Sequence, residues 1–318
     1  YAPKNDPNIV NMPIRRDFMD QHEWKTAEGR TGNCAILRNC CERQEENKYL
    51  TDKLTDEAIS FIDRSGAEPF FLYLPYNAPH APLQVPKEYY AQFAHIKDPV
   101  KRIYAAMIKN LDDQVGRLMH HLDSMGMAEN TIVVFLSDNG GASYNGTTDN
   151  APYKGGKLTN FEGGIRVPFM MKWKNHITPG TVYNYPVISL DIFATIAGVI
   201  GIDMPADRVY DGVNLIPFVN AKEQQPAHEK LFWRSEFNKA IRKGDYKLII
   251  NEYDNVNLLF DIKNDKEEQH NLYQQQPQVV QQLLKELESW ENDLVKPLWP
   301  RVVNYVYKDE QGKYVYAF

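Results

Sequence analysis

The chain has 318 residues, a formal net charge of -6 at pH 7, and 43% hydrophobic and 25% charged residues. That length supports a sizeable buried core and about two domains, and a mildly acidic chain without a basic cluster excludes nucleic acid as the expected partner. No apolar run reaches the roughly 18 residues needed to span a bilayer, so no membrane partner is expected.

Residues 1–48 carry prolines and charges without periodicity, and irregular structure covering a sheet is expected there. The chain opens on Tyr1 with no signal-like segment, as a piece of a longer precursor would. Cys34, Cys40 and Cys41 do not define a disulfide framework, so a reduced trio is expected. From Tyr49 to Arg64, the residues Leu50, Leu54, Ala58, Ile59 and Ile62 recur at helical spacing, and the helix ends near Ser65-Gly66. Phe70 to Leu74 is an apolar run of strand length, and Pro75 to Pro86 is too rich in proline to continue a regular element. A long helix is predicted over Val100–Met125, closed by Gly126, and a buried strand over Thr131–Leu136. A helix joining two strands is a crossover, which implies parallel pairing in a helix-covered sheet. Another strand is predicted over Val167–Trp173 and another helix over Val187–Ile200, before loop-like residues from Pro205 to Pro217.

The pattern changes from Lys230 onward. Short alternating stretches at 231–237, 239–242, 246–251 and 258–261 are separated by Gly and Asn turns, as in an antiparallel meander. Pro277–Leu294 adds a helix, with Gln274, Gln275 and Gln276 read as capping its start. The tail, with Tyr305, Tyr307, Tyr314, Tyr316 and Phe318, alternates like a strand that either edges a polysaccharide groove or completes a sheet, the second being the expected reading. A polar connection at Gln225-Pro226 is the expected boundary between residues 1–226 and residues 227–318.

Two segments carry chemistry. Ser137-Asp138-Asn139-Gly140-Gly141 follows a predicted strand at its carboxyl end, where open α/β sheets hold ligands. Asp138 and Asn139 offer oxygen donors suited to a hard cation, although a tight turn accounts for the same residues taken alone. Lys157 opens a loop running to Pro168, in which Gly163 and Gly164 allow a sharp turn and close approach to an anion. Out of that context Lys157 reads as a surface lysine. His80, between Pro79 and Ala81-Pro82, projects from a loop, and imidazole suits proton transfer near neutrality. His95, His120, His121, His176, His228 and His270 read as surface or helix-end residues. Asp112-Asp113 lies within a helix, where neighbours point about 100° apart. The pair therefore reads as helix-face acids partnered by Lys109 or Arg117 rather than as a metal site. Trp233-Arg234 supplies either a stacking face with an anion contact or interdomain packing.

Taken together, Tyr49–Ile59, Pro69–Pro82, Ile132–Gly141 and Lys157–Pro168 resemble the sulfatases, the formylglycine-dependent branch of the alkaline phosphatase superfamily. Ala240–Ile249 is similar to that family's C-terminal sheet. The resemblance implies an α/β fold with a helix-covered, mixed, mostly parallel sheet of alkaline phosphatase-like type. Residues 1–226 would form the later part of the catalytic domain, and residues 227–318 a smaller antiparallel sheet with one helix. It further implies hydrolysis of a sulfate ester, expected to be a sulfated carbohydrate, with one Ca²⁺ ion held in part by Asp138 and Asn139. Lys157 would contact the sulfate and its bridging oxygen and His80 would be the general acid; Arg234, from its chemistry and not from the resemblance, is a candidate substrate contact. Asn139, where two-zinc relatives usually carry His, favours one hard cation.

The family's paired aspartates and its C/S-x-P/A-x-R nucleophile pattern are not in this sequence. Cys34-Ala35-Ile36-Leu37-Arg38 has the spacing but carries Ile36 at the Pro or Ala position. Formylglycine is therefore expected on an upstream half of the same enzyme, and a periplasmic or secreted location goes with it. Two other readings stay open: a phosphoester or phosphonate hydrolase of the same superfamily, and a non-catalytic glycan-binding or degenerate subunit.

Overall fold

The computed structural model describes residues 7–12, 35–39, 42–45, 48–221, 225–299 and 304–317. The three cysteines and residues 222–224 of the expected linker lie outside them. Two compact units emerge: Tyr1–Ala128 with Asn145–Thr148, and Glu129–Tyr144 with Asp149–Phe318.

The first unit contains β1 (Ile9–Met12), β2 (Ala35–Arg38), β3 (Glu42–Glu45), α1 (Leu50–Ser65), β4 (Leu83–Pro86), α2 (Lys87–Gln92) and α3 (Pro99–Ser124). Helical spacing puts Thr51, Thr55, Ala58 and Ile62 on the buried stripe of α1. At the start of α3, Asp98 accepts hydrogen bonds from the N–H groups of Val100 (2.8 Å) and Lys101 (3.2 Å), and Pro99 occupies the first turn. Gly126, with φ +69°, ends the same helix, and the Met127 N–H bonds back to the Leu122 carbonyl at 2.9 Å. Ile103, Ala106 and Met107 of α3 pack on Leu83 and Val85 of β4.

Two expectations for this unit are corrected. The proline-rich stretch does carry a strand, since β4 pairs antiparallel with β1 in the register Val10↔Val85. Pro82 precedes that strand and Pro86 ends it, so the amides between them remain able to pair. Conversely, Phe70–Leu74 is assigned no strand. Phe71 and Tyr73 are 71% and 76% exposed, while Leu72 and Leu74 are half-buried. The alternation of an extended chain is there, but a ladder also needs a neighbouring backbone.

The second unit contains β5 (Ile132–Leu136), α4 (Glu162–Ile165), β6 (Phe169–Trp173), α5 (Asp191–Ile200), α6 (Ile216–Val219), β7 (Lys230–Ser235), β8 (Asn238–Lys243), β9 (Tyr246–Asn251), β10 (Val256–Asp261), α7 (Pro277–Asn292), β11 (Asn304–Asp309) and β12 (Gly312–Ala317). The expected burial of the strand over 131–136 is also corrected. Every residue of β5 is half-buried, and its ladder partner is the antiparallel β6, in the register Phe135↔Met170. The meander forms as read, in the order β10-β9-β8-β7. One face, with Ile241, Leu248 and Leu259, buries Val280, Leu283 and Leu287 of α7. The other, with Ala240, Ile249 and Phe260, packs against Phe161 and the tyrosines of β11 and β12. The aromatic tail thus builds its own hairpin, in the register Tyr305↔Tyr316, instead of extending the meander. Gln276 stands at the N-cap of α7 but makes no side-chain cap bond, so the expected glutamine cap is not formed.

Burial pushes the phenols of Tyr305 and Tyr314 from 10.0 up to about 12. The unfolded chain releases these protons first, so the folded chain holds more protons across that window and loses stability as pH rises through it. Denaturant unfolding midpoints should therefore fall between pH 10 and about 12, and Tyr305→Phe/Tyr314→Phe should flatten the slope. Identical slopes in the two proteins would contradict this assignment.

Candidate active site

Two loops of the second unit are fastened to each other through their backbones. The Ser137 N–H donates to the Pro168 carbonyl (3.2 Å), the Gly140 N–H to the Gly164 carbonyl (2.9 Å), and the Lys157 N–H to the Gly141 carbonyl (3.0 Å). Asn150 adds a side-chain clamp. Its Nδ2 donates to the carbonyls of Gly141 (2.9 Å) and Gly155 (3.1 Å), and its Oδ1 accepts from the Gly141 N–H (3.0 Å). Such close contact leaves no room for side chains. A Cβ on Gly140 would lie 1.8 Å from the Gly163 oxygen, and one on Gly164 would lie 2.2 Å from the Thr159 oxygen. Gly163 and Gly164 are thus required for close approach between backbones, and neither has a positive φ. Within this loop the positive φ values fall at Gly155 (+73°) and Leu158 (+78°). A left-handed leucine beside Lys157 is a strained conformation that the surrounding bonds must hold.

The side chains these loops present are under-used within the protein. The exposed Asp138 carboxylate accepts from the neighbouring Asn139 N–H at 2.9 Å. Asn139 is half-buried and its Nδ2 donates to the Gly140 carbonyl at 2.9 Å, while Oδ1 has no hydrogen-bond partner among the described residues. Among the described residues the Lys157 ammonium has no hydrogen-bond or ion-pair partner. Lys154, three positions earlier, is its opposite. It is 6% exposed and held by Asp309 (2.9 Å) and Gln311 (2.7 Å), with its ammonium 4.7 Å from the centre of the Phe161 ring. No group of three or more His, Cys, Asp or Glu able to hold a metal occurs among the described residues. Asp138 and Asn139 could supply two oxygen donors to a metal, and an all-oxygen pair of this kind fits calcium better than zinc.

His80 belongs to the first unit and is exposed. Its Nδ1 lies 2.7 Å from the Ala81 carbonyl, which can only accept, so Nδ1 carries the hydrogen and Nε2 is the ring atom open to proton exchange.

Glu162 braces the lysine loop. It is 1% exposed, with Lys247 at 2.8 Å, Arg166 at 3.6 Å and Arg242 at 3.9 Å. Burial alone would push its carboxyl up, yet these cations hold it below the usual range. Glu268, also fully buried beside Lys247, is pushed up by burial. Lys154, Asn150, Lys247 and Glu268 were not singled out by sequence. The partners of Lys154, Lys247 and Glu268 lie far along the chain, Asn150 bonds to nearby backbone groups that no residue pattern marks, and a lysine inside a predicted meander strand was the one available signal.

Arg234 lies on β7 with its Nε 3.6 Å from Glu291 of α7, while Trp233 packs on the Phe161 cluster. Asp113 pairs with Lys109 as expected, whereas Arg117 instead reaches Asp56 of α1 at 2.8 Å. His228 is no surface histidine. Its side chain is 7% exposed, with Nε2 2.9 and 3.0 Å from the two carboxylate oxygens of Asp191. His121 pairs with Asp63 at 2.8 Å.

With this geometry in hand, comparisons with known proteins are consistent. The Sulfatase family profile matches residues 7–202, a span containing His80, Asp138, Asn139 and Lys157, and the profile "N-sulphoglucosamine sulphohydrolase, C-terminal" matches residues 156–293. Steryl-sulfatase of Homo sapiens is 36% identical over 222 residues, covering 66% of this chain and 37% of that protein. N-acetylgalactosamine-6-sulfatase of Mus musculus is 34% identical over 252 residues, covering 78% of this chain and 45% of that protein. The crystal structure of Ps i-CgsB in complex with k-i-k-neocarrahexaose aligns with a TM-score of 0.76 at 34% identity, covering 81% of this chain and 58% of that one. The fold is thus alkaline phosphatase-like α/β with a small C-terminal antiparallel sheet. The chain spans less than half the length of these two curated relatives.

The contact between the loops is open to a direct check. Gly140→Ala forces a Cβ against the Gly163 oxygen and should lower unfolding stability by roughly 1–3 kcal/mol in urea titration. Gly116→Ala, on α3 with nothing within 4 Å of the added carbon, should leave stability unchanged or raised. Equal effects of the two substitutions would contradict the packing described.

Proposed function

Because the chain belongs to the sulfatase family, we propose that its two fastened loops form part of the centre of a sulfate-ester hydrolase acting on a sulfated carbohydrate. One observation carries this reading. A carboxylate, a carboxamide and an ammonium, each without a strong partner among the described residues, are presented by loops that share backbone hydrogen bonds. An ordinary surface lysine has no need of so constrained a loop, whereas an anion-binding lysine gains from one, because its charge is then already placed before substrate arrives.

In this proposal Asp138 and Asn139 are two of the oxygen ligands of one calcium ion, and the remaining ligands come from an upstream segment. That segment also carries formylglycine. When present, the ion neutralises sulfate charge and formylglycine supplies the nucleophilic oxygen. The half-buried β5 and the exposed Phe71 and Tyr73 support an upstream segment, since each leaves apolar surface that further strands would cover. The chain's own residues then have distinct tasks. Lys157 donates hydrogen bonds to the sulfate oxygens and offsets the charge that grows on the bridging oxygen as the S–O bond lengthens. His80 holds at Nε2 the proton that the departing alcohol oxygen takes up, with Nδ1 anchored on the Ala81 carbonyl so that the ring keeps its orientation. The role of His80 rests on its motif and ring chemistry.

The relatives support a carbohydrate substrate by what they act on or bind: N-acetylgalactosamine-6-sulfatase on one side, and Ps i-CgsB with a neocarrahexaose on the other. Arg234 can add an anion contact through guanidinium N–H groups other than the Nε that lies 3.6 Å from Glu291. A periplasmic or secreted location accompanies this reading, and no described helix is long and apolar enough to cross a membrane.

The test is turnover by the full-length, calcium-loaded protein. Sulfated oligosaccharide hydrolysis should exceed phosphomonoester hydrolysis, and His80→Ala should lower kcat by about 10²–10⁴-fold while leaving bound calcium unchanged. A His80→Ala protein with full turnover would remove that residue from the reaction. Preference for the phosphomonoester would favour the phosphohydrolase reading instead.

A further inference from the structure

Lys247 stands on the central strand β9, on the face that packs against Phe161, and is 0% exposed. A buried ammonium must satisfy three N–H donors or lose more than burial returns. Here they are directed to the Asn160 carbonyl (3.1 Å), to Glu162 Oε1 (2.8 Å) and, as an ion pair without good hydrogen-bond alignment, to Glu268 Oε1 (2.6 Å). The second oxygen of Glu268 accepts the Glu162 N–H at 2.7 Å. Glu268 itself is 0% exposed and has a φ of +57°, which a non-glycine residue keeps only when its surroundings hold it there. Each of these contacts to the lysine loop falls on Asn160 or Glu162, just after the left-handed Leu158. On the other side of Lys157, the Tyr307 hydroxyl accepts the Gly155 N–H at 3.2 Å. Lys157 therefore sits on a short span clamped at both ends by the C-terminal part of the chain.

We propose that Lys247 and Glu268 are positioning residues, which fix the loop from Asn160 to Glu162 and thereby set where the Lys157 ammonium meets the sulfate. The proposal rests on the reading above that Lys157 binds substrate. A lysine side chain has four rotatable bonds, so its reach alone places nothing. Its backbone must be held, and a displacement near 1 Å at a reacting centre can cost about 10²-fold in rate. The buried triad does this holding at a distance from the sulfate, without touching it.

The test uses the full-length protein with Lys247→Met/Glu268→Gln, which removes one positive and one negative charge together and keeps a side-chain carbonyl oxygen that can accept the Glu162 N–H. Hydrogen exchange of the amides in residues 155–165 should rise roughly tenfold or more, with exchange in α3 unchanged. The kcat for a sulfate ester should fall by about 10²-fold, with KM changing much less. In a Lys157→Ala background the same pair of substitutions should cost less than about threefold, because its effect is routed through Lys157. Unchanged exchange in residues 155–165, or an equal loss of kcat in both backgrounds, would overturn the proposal. A parent protein without sulfatase turnover would instead count against the functional reading, and the exchange measurement would still decide whether the triad holds the loop. Should the double variant fail to fold, Glu268→Gln alone carries the same pair of outcomes.

Discussion

The contact on which the rest of the second unit depends is the backbone bond from Gly140 to Gly164, 2.9 Å long, with the oxygen of Gly163 in the place a Cβ would take. It turns two separate sequence motifs into one rigid object. Without it, Asp138 and Asn139 would be the tip of a turn and Lys157 a lysine on a loop. With it, an acid, an amide and an ammonium are carried by loops bonded to each other through their backbones. Preorganisation of this kind is how a site lowers a barrier without spending binding energy on ordering itself.

Charge is partitioned accordingly. Two lysines of the same loop have opposite fates: Lys154 is buried among aromatic rings with Asp309, and Lys157 is left open. A buried ion pair is a weak source of stability, because desolvation offsets most of its Coulombic gain. The cost of burying Glu162, Lys247 and Glu268 is easier to understand as a means of specifying one loop conformation among many. The three groups compensate one another within a few ångströms. Glu162 accordingly stays ionised despite burial, while Glu268 is raised by the same environment.

Much of this was legible in the sequence, and the exceptions have physical causes. The stripes of α1, α3 and α7 follow from apolar spacing, and the meander from alternation between turns, because these signals are local. The motifs containing Asp138, Asn139, Lys157 and His80 stood out for the same reason. Pairing partners did not. Whether Phe70–Leu74 forms a strand, or β5 runs parallel or antiparallel to its neighbour, depends on backbone groups elsewhere in the chain. The strand at Leu83–Pro86 was hidden by prolines that turn out to bracket it. His228 read as a surface residue because Asp191, which buries with it, is distant in sequence. Lys247 was hidden for a related reason. Alternation in β9 predicts two faces but not that both are covered, one by α7 and the other by Phe161 and the tyrosine hairpin. Once both are covered, any charged residue on the strand requires buried counter-charges.

The most direct measurement is a crystal structure of the full-length protein grown with calcium and a slowly hydrolysed sulfate ester. The account predicts one calcium ion bound by the Asp138 carboxylate and the Asn139 Oδ1, with a sulfate oxygen within hydrogen-bond distance of the Lys157 Nζ. Sulfate or calcium bound away from these three residues, with Lys157 directed into solvent, would contradict it.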